Sequence, residues 1–551
     1  MPADAFGRTP RRATIARPTV LGGSRWGADR SLSGQFSERK DRHVFFDLGV
    51  RDFLDRAELV YPDRVAVVDE PDQPAPSWGS LTYRDVARLA RAQAAGLDAL
   101  GLPVGGRVAI VSHNAARLLV SFFGVSGWGR ILVPVNFRLS AAEVKYIVEH
   151  SGAEVLLVDP ELRHLLDTVT AKHVFVLGEE DDEVFGSTAD PVPWAGDESA
   201  TATLNYTSGT TARPKGVQLT HRNLWINAVT FGLHTTLSDN DVLLHTLPMF
   251  HANGWGMPYA VTGLGGRHIV LRKVDGTEIL RRIDRHGVTI LCAAPAVVTA
   301  ALDAAATWDG EIPGRDRVRI VVAGAPPPTR TIERVRVELG WEFIQIYGLT
   351  ETSPLLTVNR MRAEWADLDP HEQARLLGRA GAPALGTRIG IDADGEVLAR
   401  SNTNLDGYWD NPEETARVQA GNWFHTGDGG TFTDGYLTIS DRKKDVIITG
   451  GENVSSIEVE DALSSHPAVR EAAVIGIPDD KWGELVTALV VTDGTPLTAE
   501  DIISHCRGYL AGYKCPKRVE FLDALPRTAT GKIQKFKLRE PYWTGRERKV
   551  N

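Results

Sequence analysis

The stretch "NYTSGTTARPKGV", Asn205 to Val217, is the most telling in the chain. It follows an apolar strand start, "TATLNY", and precedes the helix-like "HRNLWINAVTFGL". Strand, glycine-containing loop and helix form the layout in which backbone N–H groups and a helix N-terminus meet a phosphate. Thr207, Ser208, Thr210 and Thr211 add hydroxyl donors, and Gly209 and Gly216 permit close backbone approach. Lys215 adds a point charge. The GxxxxGK[ST] pattern is not met, because Pro214 stands where it needs glycine. Taken alone, the loop also reads as a hydroxyl-rich polar turn.

Around this loop, short apolar runs alternate with amphipathic ones. "RVAIVSHN", "EVLLVDP", "HIVLRK", "VTILCAAP" and "VRIVVAGAPPP" read as buried strands ending in polar loops. "LTYRDVARLARAQAAGLDALG" reads as a helix stopped by Gly101, and "TRTIERVRVEL" as another. Alternating strands and helices predict an α/β fold with layered parallel sheets. After "ISDRKKD" the character changes: charges, a glycine pair, then a helix start and about a hundred residues of mixed α and β. The expected organisation is a disordered basic leader over residues 1–42, a large α/β domain over 43–442, and a small mobile α+β domain over 443–551.

Composition is that of an ordinary globular chain, 42% hydrophobic and 24% charged. A net charge of −10 argues against a general nucleic-acid binder but leaves room for small anions held by local positive charge. Cys292, Cys506 and Cys515 form no CxxC and no metal spacing, and read as packed thiols in a reducing cytoplasm. No apolar run reaches the roughly 18 residues of a membrane span. The arginine-rich start lacks the apolar region of an export signal.

Further stretches support the phosphate reading: "AGAPPP" (Ala323 to Pro328), "YGLTET" (Tyr347 to Thr352), "WFHTGD" ending at Asp428, "DRKKD" around Lys444, and "LPRTATGKIQK" containing Lys532. In order and spacing, from about residue 45 onward, the set resembles the adenylate-forming superfamily, and within it the acyl-CoA synthetases. The resemblance implies an ATP-dependent ligase: a carboxylate attacks the α-phosphate of ATP to give acyl-AMP and pyrophosphate, and the thiol of coenzyme A then displaces AMP. Joining two anions calls for positioning and charge neutralisation, and the acid is already ionised at neutral pH.

By the same resemblance, residues from Thr207 to Gly216 cradle the outer phosphates, with Lys215 at the end of the loop. Glu351 would support Mg²⁺, a hard cation suited to oxygen ligands, and Thr350 would contact phosphate. Tyr347 would lie beside adenine, with Gly324, Ala325 and Pro326 shaping the base and acyl pockets. Gly348 and Thr352 belong to the same nucleotide-binding set. Asp428 would accept from the ribose hydroxyls, and Arg442 would reach the same region. Lys532 would bridge acyl carboxylate and α-phosphate, and Lys444 would be the hinge that turns the small domain between half-reactions. Without the motifs, Asp428 reads as an Asx turn, and Lys532 as a solvated lysine in a basic tail with Lys535, Lys537 and Arg539.

"LPMFHANGWGMP" carries the acyl side. His251 matches an aromatic position between acyl site and thiol tunnel, or is a packed histidine. Trp255 coincides with a tunnel-gating tryptophan of some relatives, or is plain core. Ile346 stands where many relatives have glycine and would shorten or reshape the acyl pocket. Fatty and aryl acids of any length stay open, and so does a homodimer. The alternative function is an adenylating enzyme that hands its acid to a carrier protein, an amine or a small inorganic nucleophile.

Overall fold

The computed structural model describes residues 45–207, 213–442, 445–479, 481–527 and 532–544. Residues 1–46 form one unit and residues 47–551 a second, compact one, to which everything below refers. Two large sheets carry most of it. In the first, Val65–Val68, Arg267–Val270, Val242–His245, Ile290–Ala293, Arg319–Val322 and Glu342–Gly348 run parallel. Antiparallel strands close both edges to make nine. The second has seven strands: five run parallel, the last of them Thr201–Thr207, which pairs antiparallel with Lys215–Thr220, and that in turn with Gly407–Tyr408. Helices cover these sheets, as the near-continuous apolar strands require. The expected helix at Tyr83 spans Tyr83–Ala99, opens on a Thr82–Asp85 capping box, and is followed by Gly101 at φ +75°.

One expectation is corrected at the phosphate loop. The segment is not strand, loop, helix. Residues 208–214 connect two antiparallel strands, with Thr207 opposite Lys215, and the helix His221–His234 starts only after the second strand. Its N-terminus is closed by its own cap, Thr220, whose side chain accepts from the Asn223 amide.

A four-stranded antiparallel sheet, Arg388–Ile391 through Tyr436–Arg442, precedes a separate sheet built from Ile447–Thr449, Glu452–Val454, Val469–Asp479, Gly483–Thr492 and Arg518–Phe521. The architecture is a large α/β part followed by a smaller α+β part, as expected from sequence. Gly450 and Gly451, both at positive φ, form the two-residue turn of a hairpin whose second strand, Glu452–Val454, intervenes where the sequence reads from the glycine pair directly into a helix start. The "DRKKD" crossing lies between the two sheets. All three cysteines are buried and free. Among the described residues, no helix is long and apolar enough to cross a membrane.

In the basic tail, Lys537 is exposed but Lys535 and Arg539 are not solvated. Lys535 Nζ lies 2.7 Å from Glu460 Oε1 and also donates to Ser456 Oγ, which donates in turn to Asp441 Oδ2 at 2.5 Å. Arg539 pairs with Asp445 at 2.5 Å. These pairs fasten the helix Lys535–Trp543, and with it the segment containing Lys532, to residues on both sides of Lys443–Lys444.

Candidate functional site

Four clusters contain most of the expected site residues that the structure describes. The first joins the strand Glu342–Gly348 to the strand Phe424–Thr433: Tyr347 Oη donates to Asp428 Oδ2 at 2.8 Å. Asp428 is buried, and its strand pairs it with Arg442 across the hairpin. Successive side chains of a strand face opposite ways. Tyr347 therefore turns toward Asp428, while Ile346 enters an apolar cluster with Trp255, Ala323 and Cys292.

The second cluster surrounds Glu351. Tyr408 Oη donates to Glu351 Oε1 at 3.0 Å, and the Leu405 amide donates to the Glu351 carbonyl at 2.7 Å. Lys215 Nζ sits 5.4 Å from the centre of the Tyr408 ring and 2.5 Å from Glu414 Oε1. Glu414 also accepts from Arg417, and that bond together with Lys215 pushes its carboxyl down to about 2, against the opposing effect of burial. Lys215 is thus paired with a carboxylate at the end of the loop. A cavity of about 470 Å³ lies beside this pair, lined by Arg213, Lys215, Tyr146, Trp409 and Arg417 among others. Nothing in the sequence ties Tyr408 or Glu414 to the loop about two hundred residues earlier. The one local signal is "NPEE", where Asn411 caps a helix starting at Pro412 and so orients Glu414.

The turn Thr350–Thr352 follows Gly348, where a Cβ would lie 1.5 Å from the Pro354 carbonyl oxygen; only glycine fits. Thr352 is fully buried, accepting from the Leu349 amide and donating to the Pro354 carbonyl at 2.6 Å. Its hydroxyl shapes the turn from within. Thr350 and Glu351 remain half-buried on the outer side.

In the third cluster the two parts of the chain meet. Gly324, at φ +98°, lies so close to Lys532 that a Cβ there would be 3.4 Å from Lys532 Cε. Ala325 and Pro326 continue this exposed loop. Burial, and then the Lys532 ammonium, pushes the His251 imidazole down to about 3, so it is neutral at pH 7. The meeting is held by Asp461, whose carboxylate accepts from the Thr329 amide at 2.8 Å and the Thr329 hydroxyl at 3.1 Å. Arg330 also donates to the His466 carbonyl at 3.0 Å.

The fourth cluster is the turn after His251. Ala252, Asn253, Gly254, Trp255 and Gly256 all have positive φ, from 44° to 80°. A left-handed turn costs about 1–2 kcal/mol for each residue carrying a Cβ, so it persists only where its surroundings enforce it. Trp255 is 3% exposed and Ile346 2%, both in the apolar cluster that includes Ala323, the residue before Gly324. Thr207 is half-buried at the start of the loop. Ser208, Gly209, Thr210, Thr211 and Lys444 lie outside the described residues, as does the side chain of Arg442.

Residues 54–409 match the AMP-binding enzyme family, and residues 458–532 match the AMP-binding enzyme C-terminal domain. The chain is 38% identical to 4-hydroxybutyrate–CoA ligase 2 of Metallosphaera sedula, over 88% of this chain and 93% of that one. It is 37% identical to the 2-methylpropanoate–CoA ligase CCL4 of Humulus lupulus, over 89% and 94%. Among solved structures, the anthranilate CoA ligase AuaEII in complex with anthranoyl-AMP superposes with a TM-score of 0.80 at 28% identity, covering 92% of this chain and 99% of that one. The chain belongs to the AMP-binding enzyme family, as an acyl-CoA synthetase of the adenylate-forming superfamily.

Proposed function

We propose that this enzyme joins a short aliphatic carboxylic acid to coenzyme A by way of an acyl-adenylate. The observation that carries the choice of acid is the burial of Trp255 and Ile346 in one apolar cluster with Ala323, the residue before Gly324. On this reading the tail of an acid whose carboxylate sits at Lys532 runs past Gly324 toward that cluster, where Trp255 and Ile346 leave little room. The relatives named for 4-hydroxybutyrate and 2-methylpropanoate agree with a small pocket.

In the first half-reaction the acid oxygen forms a bond to the α-phosphorus of ATP, and the bond to the β-phosphate oxygen breaks, releasing pyrophosphate. Lys532 lies between the two anions and offsets their repulsion. Asp428, oriented by Tyr347, accepts from the ribose hydroxyls. The loop from Thr207 onward takes the outer phosphates. Glu351 is a hard oxygen ligand oriented by Tyr408 and fits Mg²⁺, which would neutralise phosphate charge when bound. In the second half-reaction the coenzyme A sulfur attacks the acyl carbon, AMP leaves with the electron pair, and the thiol proton passes to solvent. The neutral His251 leaves that region without a fixed positive charge of its own. We place the boundary between the two parts at residues 442 and 443, with Lys444 as hinge, and the arrangement with Lys532 against Gly324 serves the first step.

The test is coenzyme A-dependent AMP formation across acetate, propionate, butyrate, 2-methylpropanoate, hexanoate, octanoate and benzoate. The highest kcat/KM is expected for an acid of about four carbons or fewer, with steep loss beyond it. A maximum at octanoate or benzoate would overturn the choice of acid. AMP release without thioester would overturn coenzyme A as acceptor.

A further inference from the structure

The left-handed turn of residues 252–256 is held by a closed ring of hydrogen bonds. Asn253 Nδ2 donates to Thr203 Oγ1 at 2.9 Å, Thr203 Oγ1 donates to Asn205 Oδ1 at 2.9 Å, and Asn205 Nδ2 donates to Asn253 Oδ1 at 3.0 Å. Each member gives one bond and takes one, and all three are buried, with Asn253 and Thr203 at 0% exposure. A fully satisfied buried ring is rigid, whereas removal of one member leaves the other two unpaired in a place water does not reach. Asn205 also reaches the Phe250 carbonyl at 3.4 Å, at the residue before His251. At the far end, Asn227 Nδ2 donates to the Trp255 carbonyl at 3.2 Å, and Asn227 Oδ1 accepts from the Leu355 amide at 3.2 Å. Gly256 is needed there, since a Cβ would come within 2.4 Å of that Asn227 nitrogen.

Two features separate this ring from ordinary core satisfaction. Thr203 and Asn205 belong to the strand Thr201–Thr207, which leads directly into the loop proposed for the phosphates. The turn they hold sets the direction of Trp255, the proposed floor of the acid pocket. We infer that Asn253 is a positioning residue for substrate choice: its ring with Thr203 and Asn205 keeps the turn wound left-handed, fixes Trp255 as the floor of the acid pocket, and ties that floor to the strand carrying the phosphate loop. The inference rests on the short-acid reading above. Without the ring, the turn relaxes toward ordinary right-handed backbone and Trp255 withdraws, so that longer acids enter and the strand below the loop loosens.

The test compares the wild type with Asn253→Gly, Thr203→Val and Trp255→Ala. Glycine is at ease at positive φ, so Asn253→Gly removes the amide while leaving the backbone unstrained. Thr203→Val keeps the shape and removes only the hydroxyl, which leaves a foldable variant if the first is lost. For each, kcat and KM are measured with butyrate, with hexanoate and with ATP. In both ring variants the hexanoate-to-butyrate ratio of kcat/KM should rise about tenfold, mainly through KM, and the KM for ATP should rise several-fold. Trp255→Ala should change the acid ratio alike but leave the KM for ATP near wild type. Folded ring variants that keep both the wild-type acid ratio and the wild-type KM for ATP would overturn the inference. The short-acid reading is judged separately, by the wild-type profile; the inference is judged by the change between wild type and variants.

Discussion

Tyr347 and Asp428, 81 residues apart in sequence, are joined by a 2.8 Å hydrogen bond from hydroxyl to carboxylate. The bond crosses from the strand that ends beside the Glu351 turn to the strand that ends in the hairpin with Arg442. It fixes the direction of a buried anion that would otherwise be costly to hold in place.

If Asp428 accepts from the ribose of ATP, Asp428→Asn should lower kcat/KM for ATP about 10- to 100-fold, since a hydrogen bond to a charged group contributes about 1.5–3 kcal/mol. Tyr347→Phe removes only the orienting donor, so the KM for ATP should rise less, roughly fivefold, with kcat near wild type. Initial rates against ATP concentration check both. An Asp428→Asn enzyme with unchanged KM for ATP would remove the carboxylate from the ribose contact.

Glu414 makes a prediction about pH. Hydrogen bonds from Arg417, then Lys215, hold its carboxyl at about 2, below the ordinary 4.5. A carboxylate whose pKa is depressed in the folded state adds stability above its unfolded pKa, and that stability is lost as pH falls through the folded value. Urea midpoints of wild type and Glu414→Gln should therefore differ by a constant amount from neutrality down to about pH 4.5, with wild type the more stable. The gap should then close toward pH 2. A gap that stays open to pH 2 would contradict the ion pair at the end of the loop.

Lys535 and Glu460 form a nearly buried pair at 2.7 Å. Breaking such a pair on one side leaves a stranded charge and costs about 3–5 kcal/mol, whereas replacing both partners by apolar residues is often close to neutral. Lys535→Met should accordingly destabilise the smaller part strongly, and Lys535→Met combined with Glu460→Leu should recover most of the loss. Denaturation followed at the C-terminal sheet checks this; additive losses in the double variant would contradict it.

Much of the fold was legible because buried parallel strands and their covering helices have strong local patterns. Arg107–Val111 and Val155–Val158 are short apolar runs followed by polar residues, Ile290–Ala293 is an apolar run stopped by Ala294-Pro295, and each forms a parallel strand. What was not legible depends on distance or on backbone handedness. The strand Lys215–Thr220 was hidden by a loop reading that joined the glycines directly to the next helix. Lys215 and Glu414, which are 199 positions apart, have no shared local signal. Lys535 and Arg539 look solvated in a run of charges, and only the folded chain supplies Glu460 and Asp445. The left-handed turn is concealed because Ala252 and Trp255 are residues that ordinarily avoid positive φ. Its support, Thr203 and Asn205, lies some fifty residues earlier and carries no mark of its own.

The central claim is that Lys532, brought against Gly324 by the smaller part of the chain, serves the joining of acid to nucleotide and not the later transfer to thiol. The most direct measurement is single-turnover kinetics of Lys532→Ala, with acyl-AMP formation from butyrate and ATP followed apart from thioester formation from supplied butyryl-AMP and coenzyme A. Acyl-AMP formation should fall about 100-fold or more, as on removal of one charge-stabilising donor, while thioester formation stays within a few-fold of wild type. Equal losses in the two steps, or a loss confined to the second, would contradict it.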